Sequence, residues 1–261
     1  CIKAYDTYEF HTVYHAMYNF CTVDLSAFYL DIIKDRLYTF PAKDPARRDA
    51  QTVMYLMLDL ITRLMAPILP FTTEEVWKEM PDFDRELHDG IADEKNRGSK
   101  KLESVHLALR PVADPEWRDD SLAAKWEKII AVRSEVTKAL EEARVAKKIG
   151  HSLDASIGIY VDDSDVKQIL ASFGKDLRDV FIVSDASLLS EPAANGFEGK
   201  ELTGDLTGKD IKALQITVKK AHGDKCDRCW KYDATTGSRE DHPGTCSRCS
   251  GALDIINSYR L

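Results

Sequence analysis

Cys226-Asp227-Arg228-Cys229 and Cys246-Ser247-Arg248-Cys249, with residues 230 to 245 between them, are two Cys-x-x-Cys turns at the separation a tetrahedral metal site needs. Each turn aims two thiolates at one ion, and the sixteen intervening residues suffice for a hairpin that brings the turns together. Four sulfurs fill the shell of Zn2+ and leave no position for a catalytic water. The spacing therefore predicts one structural zinc held by Cys226, Cys229, Cys246 and Cys249, whose binding, roughly 10–16 kcal/mol, folds a terminal zinc ribbon over residues 222–261. Two disulfides in a secreted domain are the competing reading. The other cysteines, Cys1 and Cys21, lie far away in a helical region, and the spacing favours the metal.

Working outward, 261 residues with 44% hydrophobic content exceed one typical domain and can bury real cores. Lys and Arg total 36 against 44 Asp and Glu, a formal charge of −8, which argues against a nucleic-acid binder held by bulk charge. Any RNA contact must be local. The longest apolar run, residues 53 to 71, carries Asp59, Arg63 and Pro67, so it reads as a buried amphipathic helix and not a membrane span. No signal-peptide pattern is read in these residues, the start at Cys1 suggests a piece of something longer, and the cytoplasm is the expected compartment.

Helical periodicity runs through Phe10, Val13, Tyr14 and Met17, then Leu25, Phe28, Tyr29, Ile32, Ile33 and Leu37, predicting two helices that end before Pro41. Asp44-Pro45 opens a long helix to Met65, and Thr72-Thr73-Glu74-Glu75 offers a capping box for a short one to Met80. Residues 82 to 104 read as an exposed linker and Ser104 to Leu109 as an extended piece. Another helical stretch follows Asp114-Pro115 and runs, with a break near Asp120, to Lys148, where Gly150 stops it. The period then changes to two at Ile157, Ile159, Val161 and at Leu214, Ile216, Val218, predicting strands; residues 164–173 read as a helix and 179–188 as a further strand. The expected fold is mainly α: an antiparallel helical bundle over 1–110, a connecting helical segment over 111–150, a small α+β unit over 151–221 and the zinc ribbon over 222–261.

Nothing in the chain reads as a catalytic site. His11 and His15 have zinc-protease spacing, but Thr12 stands where the general-base Glu is needed, and packing is the simpler role. Gly204 to Gly208 lacks the Lys-Ser or Lys-Thr of a phosphate loop, and Glu74-Glu75 and Glu141-Glu142 read as capping or solvated charges. Residues 34 to 63 carry six Lys/Arg against four Asp, the best local basic zone, which is as consistent with a salt-bridged corner as with RNA contact. Residues 222–261 balance at six of each sign, yet Arg228, Trp230 and Arg248 cluster at the knuckles. An aromatic beside an arginine can clamp an unpaired base; on chemistry alone, covering the metal is the plainer role for Trp230.

Phe20-Cys21 with Phe28-Tyr29-Leu30-Asp31-Ile32-Ile33-Lys34-Asp35-Arg36-Leu37-Tyr38, and Ala46-Arg47-Arg48 leading to Met65-Ala66-Pro67-Ile68-Leu69-Pro70-Phe71-Thr72-Thr73-Glu74-Glu75-Val76-Trp77, form a set of segments. Together they resemble the bacterial-type isoleucyl-tRNA synthetase family in its C-terminal region. The last motif is shared by class Ia synthetases more widely. Ala143-Arg144-x-x-Lys147-Lys148-Ile149-Gly150-x-Ser152-Leu153-Asp154-Ala155 and the Cys226 to Cys249 ending are similar to the isoleucine enzyme, whose ribbon is akin to that of formamidopyrimidine-DNA glycosylase.

The resemblance implies a class Ia anticodon-binding domain whose partners are the anticodon stem-loop of tRNA(Ile) and the catalytic domain of the same parent chain. The parent joins isoleucine to tRNA with ATP and Mg2+, which belong to a catalytic domain whose nucleotide-binding signatures are missing here, as is the editing domain. The chain by itself is expected to be inactive, monomeric and without a membrane partner. For tRNA contact the residues singled out are Arg228, Trp230 and Arg248 in the ribbon and Lys34, Arg36, Arg47 and Arg48 before it. A DNA-binding zinc ribbon related to the glycosylase, or a zinc-stapled protein-interaction module, are the alternatives.

Overall fold

The computed structural model describes residues 1–81, 102–192, 199–202 and 214–258. These are mostly helical, with a four-stranded sheet, a two-stranded hairpin and the cysteine cluster near the C-terminus. The expected linker at 82–104 lies almost entirely outside the described residues, as does the Gly204 to Gly208 stretch. The chain divides into two compact units, Cys1–Leu30 with Pro45–Asp119, and Asp31–Asp44 with Asp120–Leu261.

In the first unit, helices α1 (Ile2–Asp6), α2 (Phe10–Asn19), α4 (Pro45–Met65) and α5 (Pro70–Glu79) surround two apolar clusters. Val13, Met17, Leu64 and Met65 form one; Ala66, Trp77, Met80 and Val105 form the other. Two aromatic polar groups find backbone partners: the Tyr5 hydroxyl donates to Leu64 O at 2.7 Å, and Trp77 Nε1 to Leu102 O at 2.8 Å. Two expectations change here. The capping box at Thr72 is absent, because α5 starts two residues earlier with Pro70 in its first turn, where a missing N–H costs nothing. Residues 105–107 form a 3₁₀ turn capped by Ser104 instead of an extended piece, and Glu74 pins that turn by accepting from Ser104 Oγ and Val105 N. Residues Phe20–Leu30 are π-helical, so the expected second helix begins with widened turns before α3 (Asp31–Thr39).

The second unit is built on a four-stranded sheet ordered β2-β1-β4-β3, from β1 (Ala155–Val161), β2 (Asp185–Leu188), β3 (Gly199–Leu202) and β4 (Leu214–Lys220). β1 pairs parallel with β2 and antiparallel with β4. The parallel pair needs a crossover, supplied by α7 (Ser164–Ser172) and the short α8 (Leu177–Phe181). Thus the strand read over 179–188 is helical in its first part, and only 185–188 pair. The 26-residue α6 (Asp120–Val145) contributes Ile129, Val132, Val136 and Leu140 to a core shared with Ile157, Ile159, Leu170, Phe181, Leu214 and Ile216. α6 ends at Val145, three residues short of the expected Lys148. Lys147 takes the left-handed conformation at φ 58°, and its successor closes the helix through Lys148 N to Ala143 O at 3.0 Å.

Candidate metal centre and the groove beside it

The first Cys-x-x-Cys turn sits at the tip of a two-stranded hairpin, β5 (Asp224–Lys225) with β6 (Tyr232–Asp233). The second leads into α9 (Ser247–Ser258). Backbone bonds fold the tip back on itself: Cys226 N donates to Lys231 O at 2.9 Å and Trp230 N to Cys226 O at 2.8 Å. Asp227 N reaches Gly244 O at 2.9 Å, which ties the two turns together. All four Sγ atoms lie within 4.8 Å of one another, and Cys229 and Cys246 are 3.9 Å apart. Zinc at about 2.3 Å from each sulfur requires sulfurs about 3.8 Å apart, so the cluster fits the ion. Cys226, Cys246 and Cys249 are buried, and Cys246 N donates to Cys226 Sγ at 3.3 Å, a bond that favours thiolate. Hydrogen bonds from Cys229 and Cys249 push the Cys246 thiol down, while hydrogen bonds with Cys229 and Cys246, and burial, push Cys249 up: the crowded sulfurs compete for protons that a divalent cation would displace. His11 and His15 belong to no group of three metal donors among the described residues.

The arginines and the lysine of the knuckles are engaged with α3 and α8. Arg248 makes two hydrogen bonds to the Asp35 carboxylate, and its guanidinium lies 5.5 Å from the Phe40 ring centroid. Lys231, 4% exposed, bonds Asp35 Oδ2 at 3.0 Å and also Asp179 Oδ1. Arg228 donates to Thr39 O at 3.2 Å. Burial pushes the Asp35 carboxyl up, but the hydrogen bond from Arg248 and the charges of Lys231 and Arg248 outweigh it and hold the group well below the usual carboxylate range. Burial likewise works against charge on Arg248, and Asp35 more than restores it.

Beside the module lies a groove of about 770 Å³ within the second unit. Lys34, Arg228 and Trp230 line it, joined by Tyr38 from α3, Arg133 and Arg144 from α6, and an apolar floor including Leu140, Ile149 and Phe181. Trp230 is 62% exposed at φ 64°, with Lys225 Nζ 5.8 Å from its ring centroid. The structure thus brings together Lys34, Arg228 and Trp230. Arg248 sits behind them in the Asp35 pair, Arg36 is half-buried elsewhere on α3, and Arg47 and Arg48 lie on α4 in the other unit. Sequence reasoning did not single out Tyr38, Arg133 or Arg144 for the groove, because only folding gathers them. Of the four non-glycine residues with positive φ among those described, Ile182 and Trp230 line this groove and Lys147 the concavity adjoining it. Strained backbone of this kind gathers at functional sites.

A four-cysteine module lies next to a groove edged by Trp230, whose cations Lys34, Arg133, Arg144, Arg228 and Lys231 are interleaved with Asp31, Asp35, Glu141 and Asp179. The family described as "Anticodon-binding domain of tRNA ligase" matches residues 1–159 of the 261, and the chain belongs to that family. Residues 223–250 match "Zinc finger found in FPG and IleRS". The isoleucine–tRNA ligase of Geobacter sulfurreducens is 44% identical over 255 residues, 96% of this chain and 24% of that protein. Those of Moorella thermoacetica, 44% over 249 residues, and Caldanaerobacter subterraneus, 41% over 252, cover 95% and 97% of the chain and 24% and 25% of their own lengths. The chain spans about a quarter of the length of these relatives. The resemblance to the isoleucyl enzymes is borne out. No helix among the described residues is long and apolar enough to cross a membrane.

Proposed function

We propose that this chain is the tRNA-holding portion of an isoleucine–tRNA ligase, gripping the anticodon stem-loop while activation and transfer of isoleucine, with ATP and Mg2+, take place in a catalytic domain of the same parent chain. The observation that carries this reading is the groove beside the cysteine module. It presents an exposed Trp230 and the cations Lys34, Arg133 and Arg228 around an apolar floor, in a chain of the anticodon-binding family. Unpaired anticodon bases are suited to stacking and edge hydrogen bonding at such a surface.

In this reading residues 1–110 form the antiparallel bundle of a class Ia anticodon domain, 111–150 a connecting helical segment, 151–221 the small α+β unit and 222–261 the zinc ribbon. One structural Zn2+ on Cys226, Cys229, Cys246 and Cys249 neutralises the thiolates and fixes the module, and it takes no part in chemistry. The protein acts in the cytoplasm as a monomer. Remote binding energy spent on the anticodon side positions the acceptor end elsewhere, so no catalytic group is needed here. Arg228, Trp230 and Lys34 touch RNA directly; Arg36, Arg47 and Arg48 supply charge along the stem. Arg248 supports the surface through Asp35.

The test is binding of isoleucine tRNA transcripts with altered anticodons at two salt concentrations. Anticodon-dependent binding is expected at both. Binding indifferent to the anticodon, or none at low salt, overturns the reading, and equal affinity for duplex DNA favours the glycosylase-like alternative.

A further inference from the structure

A concavity of about 440 Å³ adjoins the groove, with Arg144, Ile149 and Gly150 lining both. Its walls carry Arg144 from the last turn of α6, Lys147 and Lys148 from the turn that follows it and Lys220 from the end of β4, with Tyr232 at one side. All four cationic side chains are solvent-exposed, in a chain whose formal charge is −8. The carboxylate lining the same concavity, Asp154, is turned to the backbone: its Oδ2 accepts from Gly150 N at 3.0 Å and His151 N at 2.8 Å. Glu141 is engaged with Arg144, which it meets at 2.7 Å.

Cations at the C-terminal end of a helix are ordinarily explained by its dipole. That accounts for Arg144. It does not account for Lys220, which arrives from a strand, nor for Lys147, which occupies a left-handed position where glycine would be less strained. The convergence of cations from two elements on one concavity suits an anionic group, and phosphate oxygens accept charge-assisted hydrogen bonds from Lys and Arg.

We propose that Arg144, Lys147, Lys148 and Lys220 hold the phosphodiester backbone of the RNA whose unpaired bases enter the adjoining groove. This site rests on the reading of the chain as a tRNA-holding portion, and it separates two tasks: stacking beside Trp230, and charge neutralisation one concavity away. The two tasks differ in salt dependence. Each phosphate contact on a single-stranded segment contributes about 0.7 to the slope of log K against log salt, whereas a stacked base contributes nothing to that slope.

The experiment measures anisotropy of a fluorescent isoleucine tRNA transcript from about 50 to 300 mM KCl for the unsubstituted chain, Lys147→Glu/Lys148→Glu, Lys220→Glu, Trp230→Ala and the distant charge control Lys125→Glu. The double variant is expected to bind about tenfold or more weakly at 100 mM salt with a slope smaller by about 1–2, and Lys220→Glu with a slope smaller by about 0.7. Trp230→Ala should weaken binding with an unchanged slope, and Lys125→Glu should match the unsubstituted chain. If the unsubstituted chain binds and the charge variants keep its affinity and slope, this site is wrong and the proposed function stands. If the unsubstituted chain does not bind, both fall. Competition by polyglutamate as effective as by an oligonucleotide of equal charge would assign the concavity to an acidic protein segment and overturn the RNA assignment.

Discussion

Arg248 and Asp35, 213 residues apart in sequence, meet in two hydrogen bonds of 2.5 and 2.9 Å. Lys231 bridges the same carboxylate to Asp179, so two acids and two bases from α3, α8 and the cysteine module form a charge-balanced network. Such a network adds little over a well-packed apolar core, but loss of one member strands the others in a poorly solvated place. The network is therefore a specificity device: it fixes α3, and with it Lys34 and Tyr38, against the knuckle that carries Trp230.

Asp35→Asn should cost about 3–5 kcal/mol at neutral pH, because Arg248 and Lys231 lose a charged acceptor. The folded-state pKa of Asp35 is depressed, so its stabilisation is fully present above the unfolded carboxylate value near pH 4 and is lost as pH falls through the folded value. Urea unfolding of both proteins should show the gap wide at pH 7 and narrowing below about pH 4. A gap of constant size across that range would refute the ionic origin.

Metal removal should act first on the module and then on α3. The protein is expected to carry one zinc per chain after gel filtration, and Cys226→Ser or strong chelation should release it. With the knuckles loosened, Lys231 and Arg248 withdraw from Asp35. Hydrogen exchange should then accelerate at residues 224–233, 246–258 and 31–39, while the β1–β4 core, which has its own buried side chains, stays protected. Protection unchanged at 31–39 would show that α3 stands without the module.

Two glycines give opposite expectations. A Cβ at Gly223, φ 93°, would stand 2.4 Å from the Asp233 carbonyl carbon, so Gly223→Ala should destabilise the hairpin by roughly 1–3 kcal/mol and lower zinc retention. Gly251 lies inside α9 with nothing within 4 Å of its would-be Cβ, and Gly251→Ala should stabilise by about 0.5–1 kcal/mol. Thermal unfolding coupled to a zinc-release dye reads both.

What was legible in the sequence was local. Cysteine spacing located the metal cluster because its ligands pair within four residues, and alternation in Ile157, Ile159 and Val161 revealed β1 because one strand carries its own signal. The misjudged ends have local causes that propensity hides: Lys147, not a glycine, takes the left-handed turn after α6, and Pro70 opens α5 two residues before the cap expected at Thr72. Arg248 looked like an RNA ligand because its partner Asp35 sits in another part of the chain, inside a run whose two flanking residues are basic. Lys220 drew no attention for the same reason: its neighbours in the concavity are set by the sheet, not by spacing.

Lys147 and Trp230 offer the sharpest trade between stability and binding. Both hold left-handed backbone, at φ 58° and 64°, a conformation costing a non-glycine residue about 1–2 kcal/mol, and both line the surfaces assigned to RNA. Glycine adopts this conformation without a Cβ clash but loses more chain entropy on folding, so Lys147→Gly and Trp230→Gly should each raise stability by about 0.5–1 kcal/mol in urea. Each should also weaken tRNA binding, the lysine variant mostly at low salt, where its charge counts, and the tryptophan variant equally at all salts. Alanine at either site keeps the strain and removes the side chain, so it should match glycine in binding and fall below it in stability. Equal stability for alanine and glycine would mean that the backbone stores no strain there; unaltered binding would mean that these side chains occupy strained positions for some purpose other than RNA.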